Sequence, residues 1–175
     1  MLYNQYLNTI SARARAGQAK AFAMALAMLS VVASTGCGSA PASSATPQID
    51  PAFSDYVNRF EQASAQAGRP TQVSNVSMAF GQVASEGEAD GRGQCVIVTG
   101  QTPTVTISPD AWNSSTDAER EQLVFHELGH CVFGLVHVAG ITDQGIPQSI
   151  MDPSEISGAI YTQYHAYYMT TLFQQ

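Results

Sequence analysis

His126-Glu127-Leu128-Gly129-His130 constrains this chain more than any other five residues in it. Residues four apart on an α-helix share a face, so His126 and His130 can present two imidazoles to one metal ion. Glu127 follows the first imidazole and leans over the same point. There it is placed to take a proton from water activated by the metal. With four histidines and seven glutamates in 175 residues, accident produces such a pattern on the order of once in a few hundred chains. Context therefore decides.

The preceding residues read as a helix start. Thr116-Asp117-Ala118-Glu119 fits a capping box, with Thr116 as N-cap and Glu119 reaching back from the third helical position. Asp117, Glu119 and Glu121 put negative charge in the first turns, where the helix dipole favours it. Leu123, Phe125, Leu128 and Val132 supply apolar contacts for a largely buried helix, and Gly134 offers a stop. His137 follows, so three of the four histidines fall within twelve residues.

His126-Glu127-x-x-His130 with Gly134-x-x-His137 resembles the extended zinc motif of the metzincin metallopeptidases. Ser149-Ile150-Met151-Asp152-Pro153 resembles the Met-turn of that clan. The chain is most similar to small secreted or lipoprotein-type bacterial metallopeptidases, over roughly Thr104 to Pro153. The resemblance implies an α+β fold, a minimal zincin domain. Its parts are a small sheet with a backing helix, the zinc helix, the Met-turn and a C-terminal helix. It implies one Zn2+ held by His126, His130 and His137, with Glu127 as general base in peptide-bond hydrolysis. It also implies a peptide or protein substrate pairing with an edge strand, for which Val105–Ile107 is the expected segment.

One spacing departs from the clan. Cys131, Val132 and Phe133 separate the second histidine from the glycine, where two residues are usual. An extra helical residue adds about 1.5 Å of rise and roughly 100° of rotation before the turn. His137 is favoured as third ligand because a glycine turn has a mechanical purpose only for it; Glu155 is the rival, as a glutamate from a downstream helix. Tyr161 and Tyr164 are candidates to assist the oxyanion, or else the core face of the last helix. His165 reads as a surface or packing residue.

Residues 1–36 read as a signal peptide. Arg13, Arg15 and Lys20 precede an apolar run from Ala21 to Ala33, which is too short to span a bilayer. Ser34-Thr35-Gly36-Cys37 resembles the end of a lipobox, which makes Cys37 the lipid anchor of an exported, envelope-attached protein. Cleavage near Ala40 or Ala42, giving a periplasmic or secreted product, is the alternative. Residues 37–49, rich in Gly, Ser, Ala and Pro, read as the tether, and 50–175 as the folded metallopeptidase domain. All fourteen acidic residues lie after Cys37 against four arginines, a net −10. That charge argues against nucleic acid and against electrostatic binding to anionic lipid, leaving the Cys37 anchor as the membrane contact. A monomer is expected.

Cys95 and Cys131 remain as an even pair, expected to form a disulfide that staples the zinc helix to the sheet. Two buried free thiols are the alternative, with Cys131 as a zinc ligand the remotest reading. Asp50-Pro51 opens a helix through about Ala67, ended by Gly68 and Pro70. Strands are expected around Val73–Phe80, as a buried Cys95–Val98 and as a half-buried Thr104–Ile107, with an exposed hairpin tip at Glu86–Gly93. A closing helix is expected over Pro153–Leu172, with Gly158 as a possible break. Two other functions fit the residues: an anchored binding module with a structural, four-ligand zinc site, and a cell-wall peptide amidase.

Overall fold

Asp50-Pro51 begins the first helix as a cap and a preset turn. The Asp50 carboxylate accepts from Ala52 N at 2.9 Å, and Pro51 occupies a position where a missing N–H is harmless. A 3-10 turn over Pro51–Phe53 passes directly into α1, Ser54–Gln66. Phe53, Tyr56, Val57 and Phe60 form its buried stripe. The computed structural model describes residues 46–83 and 91–174. The signal segment, the Cys37 anchor and the hairpin tip up to Asp90 lie outside them. No helix among the described residues is long and apolar enough to cross a membrane.

Three short strands form one sheet among the described residues: β1, Ser77–Phe80; β2, Gly93–Val96; and β3, Thr104–Ile107. The order is β1-β3-β2, with β3 parallel to β1 and antiparallel to β2. This overturns the expectation that Val105–Ile107 is an edge. β3 is central, with Val105 and Ile107 fully buried, and β2 is the edge beside it. Three other readings change. Arg92 and Gly93, expected at an exposed hairpin tip, are buried, and Gly93 starts β2. Val73 and Val76 are buried but precede β1, and Ile97 and Val98 lie past β2 with side chains facing solvent. Residues expected at the end of the tether also join the sheet: Met78 N donates to Gln48 O, and Asp50 N to Met78 O.

Ser108 and Pro109 start α2, Pro109–Ser114, which buries Trp112 edge-on against Phe53 and Tyr56. The long helix α3, Asp117–Phe133, is the centre of the fold, touched by α1, by β2 and β3, and by α4, Gly158–Gln163. Its capping box is complete: Thr116 N donates to Glu119 Oε2 at 2.8 Å, and Glu119 N donates to Thr116 Oγ1 at 3.4 Å. Glu119 Oε1 also accepts from Gly158 N, so one carboxylate holds the starts of two helices. A Cβ at Gly158 would lie 2.9 Å from Thr116 Oγ1. That close approach explains the glycine, which begins α4 rather than breaking a longer helix. The turn at Tyr164 then separates α4 from α5, His165–Phe173, where a single closing helix was expected.

Behind α3, Phe60 meets Phe125, Phe133 and Phe173 at centroid distances of 5.2, 5.6 and 5.2 Å. That cluster joins α1, α3 and α5. In front, Cys131 of α3 is bonded to Cys95 of β2, with Cα atoms 5.6 Å apart. The staple expected between helix and sheet is present. Nearer the helix start, Arg59 bridges Asp117 and Glu121, and Tyr161 and His165 also reach the buried Glu121 carboxylate.

Hydrogen bonds from the Thr116 backbone and hydroxyl, with Gly158 N, hold the Glu119 carboxyl below its usual range. A depressed folded pKa contributes stability that is complete above the unfolded value of about 4.3 and is lost as pH falls through the lower folded value. Thermal melts should therefore show the midpoint falling on acidification below about pH 4, with a shallower fall in Glu119→Gln. Thr116→Ala should cost about 1 kcal/mol at neutral pH in denaturant titration. Reducing the Cys95–Cys131 bond, read by the same titration, should cost about 2–4 kcal/mol.

Candidate metal centre

The geometry starts from how α3 ends. Gly134 takes a left-handed conformation, φ 66°, and donates its N–H to His130 O, while Leu135 N reaches Gly129 O. The first is the 5→1 bond of a left-handed helix cap, and together the two bonds reverse the chain. Leu135 O then accepts from His130 Nδ1 at 2.6 Å. The chain runs on to His137 and is fixed there by Val138 N donating to Met151 O at 2.9 Å. The extra residue before Gly134 is absorbed by a helix that continues to Phe133.

Three imidazoles converge as a result. The Nε2 atoms of His126 and His130 are 3.0 Å apart, and each lies 3.2 Å from Nε2 of His137. His126 Nδ1 donates to Ile150 O at 2.8 Å, as His130 Nδ1 does to Leu135 O. A carbonyl oxygen can only accept, so each Nδ1 must carry the hydrogen and each Nε2 of the neutral ring must present a lone pair. Two lone pairs facing each other at 3.0 Å repel unless a cation lies between them. Tetrahedral zinc with nitrogen ligands at about 2.05 Å separates two nitrogens by roughly 3.3 Å, close to the spacing found. The donor set fits a metal ion. Among the described residues, this is the cluster of His, Cys, Asp or Glu able to hold one.

Glu127 is almost wholly buried between α3 and β2. Its space exists because residue 93 is glycine. A Cβ there would meet Glu127 Cδ at 2.8 Å and Cγ at 2.9 Å, with Oε1 closer still. Gly129 plays the same part on another face of the helix. A Cβ at that position would lie 2.6 Å from Met151 Sδ and 3.3 Å from Leu172 Cδ1. Met151, wholly buried, therefore packs directly on the histidine helix.

The rival ligands are engaged elsewhere. Glu155 pairs with Arg92 Nη1 at 2.8 Å, and Cys131 is in the disulfide. The Tyr161 hydroxyl donates to Glu121 Oε1 at 3.0 Å rather than facing the three histidines. Burial, with Glu121 beside it, pushes the Tyr161 phenol far above its ordinary range, as expected of a core residue. Tyr164 packs partly buried against the core. His165 Nε2 approaches Glu121 Oε1 at 3.0 Å, in keeping with a packing role.

Sequence reasoning missed Gly93, Gly129 and Arg92. Gly129 carried a signal, since a glycine inside a helix destabilises by about 1 kcal/mol against alanine and usually has a packing reason. Gly93 and Arg92 carried none that spacing could reveal. Comparison with protein-family models, with curated proteins and with solved structures finds no match.

In Gly93→Ala a crystal structure should show the Glu127 carboxylate displaced, because a Cβ there would meet its Cγ and Cδ, while the Nε2 atoms of His126, His130 and His137 still converge.

Proposed function

We propose that this protein is a zinc-dependent peptide hydrolase of the metzincin-like kind. The observation that carries the reading is the convergence of three Nε2 lone pairs, two with their tautomers fixed by backbone carbonyls, next to a buried glutamate. His126, His130 and His137 would hold the ion. A zinc ion in such a site supplies Lewis acidity, which acidifies water and polarises a carbonyl.

The remaining work falls to the chain. Glu127 accepts a proton from the attacking water and passes it to the leaving amine. Its burial between α3 and β2 keeps the carboxylate in one place, which shortens the search for a reactive geometry. β2 lies beside Glu127 through Gly93 and, among the described residues, pairs on one side only, with β3. Its other side suits an extended peptide, which would add as a strand and bring its backbone past the histidines. The disulfide from Cys95 to Cys131 holds this edge at a fixed distance from α3. It also supports an oxidising compartment, and with it the proposed export and anchoring through Cys37.

A closed, structural four-ligand site finds no support, because Cys131 and Glu155 have other partners. A cell-wall peptide amidase would share the chemistry and differ in substrate.

Zinc-reconstituted protein should contain one equivalent by elemental analysis and cleave members of a broad peptide library. Glu127→Gln should keep zinc and thermal stability while lowering turnover at least about 10²-fold. His137→Ala should weaken zinc binding as well as activity, whereas Glu155→Gln should leave zinc bound. Less than a tenth of an equivalent of zinc, or an active Glu127→Gln, would overturn the proposal.

A further inference from the structure

Two segments reach the same end of the sheet. Val96 and Ser77 both pair with Thr104, so the close of β2 and the openings of β1 and β3 lie level. The loop from β2 to β3, residues 97–103, projects past that end, turned by Gln101 N donating to Val98 O and by Gly100 at φ 80°. The incoming chain enters at the same place. Ile49 bridges Met78 in the parallel sense and Gln48 N donates to Ser77 Oγ, so Thr46 and Pro47 lie beyond the start of β1.

Three consecutive apolar side chains stand in solvent there: Val96, Ile97 and Val98 are 42, 58 and 45 % exposed. A contiguous apolar run left outside the core marks a surface that something apolar covers. Charge says what that is. The stretches that meet at this end, 46–49, 74–77 and 96–104, contain no Asp, Glu, Lys or Arg, although the chain after Cys37 has four arginines against fourteen acids. Anionic head groups repel an acidic body, so the uncharged end is the one that approaches a bilayer closely. Covalent reach agrees with this. Only residues 38–46 extend from Cys37 to Thr46, and nine residues span at most about 30 Å. We propose that the 97–103 loop is a membrane-contact tip: Ile97 and Val98, with Val96 behind them, enter the interfacial layer of the bilayer that holds the Cys37 anchor. The inference rests on the anchoring reading and adds the orientation in which the domain is held. Gly93 lies by Glu127 and Cys95 by Cys131, so α3 runs beside β2 in the same sense and turns its C-terminal end to the membrane as well.

The test uses the full chain reconstituted in phosphatidylcholine vesicles, with or without bromine on the acyl chains, carrying Ile97→Trp or, separately, Val98→Trp. Trp112, the one native tryptophan, is buried and gives the same background in each. Bromolipid should lower the added emission at least about twofold in both variants, because interfacial side chains sit about 5–10 Å deep. Asn113→Trp, exposed on α2 past the other end of β3, should lose less than about a tenth. Emission at 97 and 98 that stays solvent-like and unquenched overturns the proposal, as does equal quenching at 97 and 113. Emission already blue-shifted before vesicles are added, and indifferent to bromine, overturns it by assigning the tip to a protein partner or a second copy. Fatty-acid labelling of Cys37 is read alongside. A labelled chain without quenching loses the tip and keeps the anchor, whereas quenching in an unlabelled chain keeps the tip and removes the anchor.

Discussion

Two backbone carbonyls decide the character of the centre. Ile150 O and Leu135 O each accept from an Nδ1, and this forces His126 and His130 to turn their Nε2 lone pairs toward the same point as His137. Neither carbonyl belongs to α3. One comes from the turn that carries Met151 and the other from the reversal after Gly134, so the two histidines of the helix are oriented by segments folded against it. Val138 N binding Met151 O ties those segments to each other. The histidine geometry is thus a property of three pieces of chain closed into a ring of hydrogen bonds. The buried faces of α3, packed on Phe60, Met151 and Leu172, keep that ring from drifting.

Much of this was legible in the residues because it is local. The capping box at Thr116, the stop at Gly134 and the i, i+4 histidine pair each depend on positions a few residues apart, where helix geometry leaves little choice. The Cys95–Cys131 bond was legible only as the pair left over once Cys37 is set aside as the expected anchor. Strand order was not. Thr104-Val105-Thr106-Ile107 alternates because one face of the sheet is covered, and a central and an edge strand of such a sheet alternate alike. Only tertiary pairing separates them, and it placed β3 in the middle. The same applies to Ile97 and Val98, which follow β2 in sequence and leave the sheet where Val96 ends its pairing. Gly93 and Arg92 take their importance from Glu127 and Glu155, far along the chain, and no short window contains both members of such a pair.

The polar groups around α3 divide between two tasks. Toward its start, Asp117, Glu119 and Glu121 are spent on Arg59, Thr116, Tyr161 and Gly158, which fix the helix against α1 and α4. In the middle, Gln122 and Glu127 are buried next to the imidazoles. Polar groups satisfied at a helix start rigidify a fold, whereas a carboxylate held dry beside a metal-binding cluster suits the proton transfer proposed for Glu127. A single helix carries both kinds within two turns of each other.

The disulfide has a topological consequence. With Cys95 and Cys131 joined across a separation of 36 residues, the chain through β3, α2 and most of α3 becomes a covalent ring. A single backbone cut inside that ring opens it without releasing a fragment. The nicked molecule keeps both strands of the β2–β3 pair and all its histidines on one connected polymer. For a chain proposed to hydrolyse peptide bonds, that connectivity limits what a single self-inflicted cut within the ring would release.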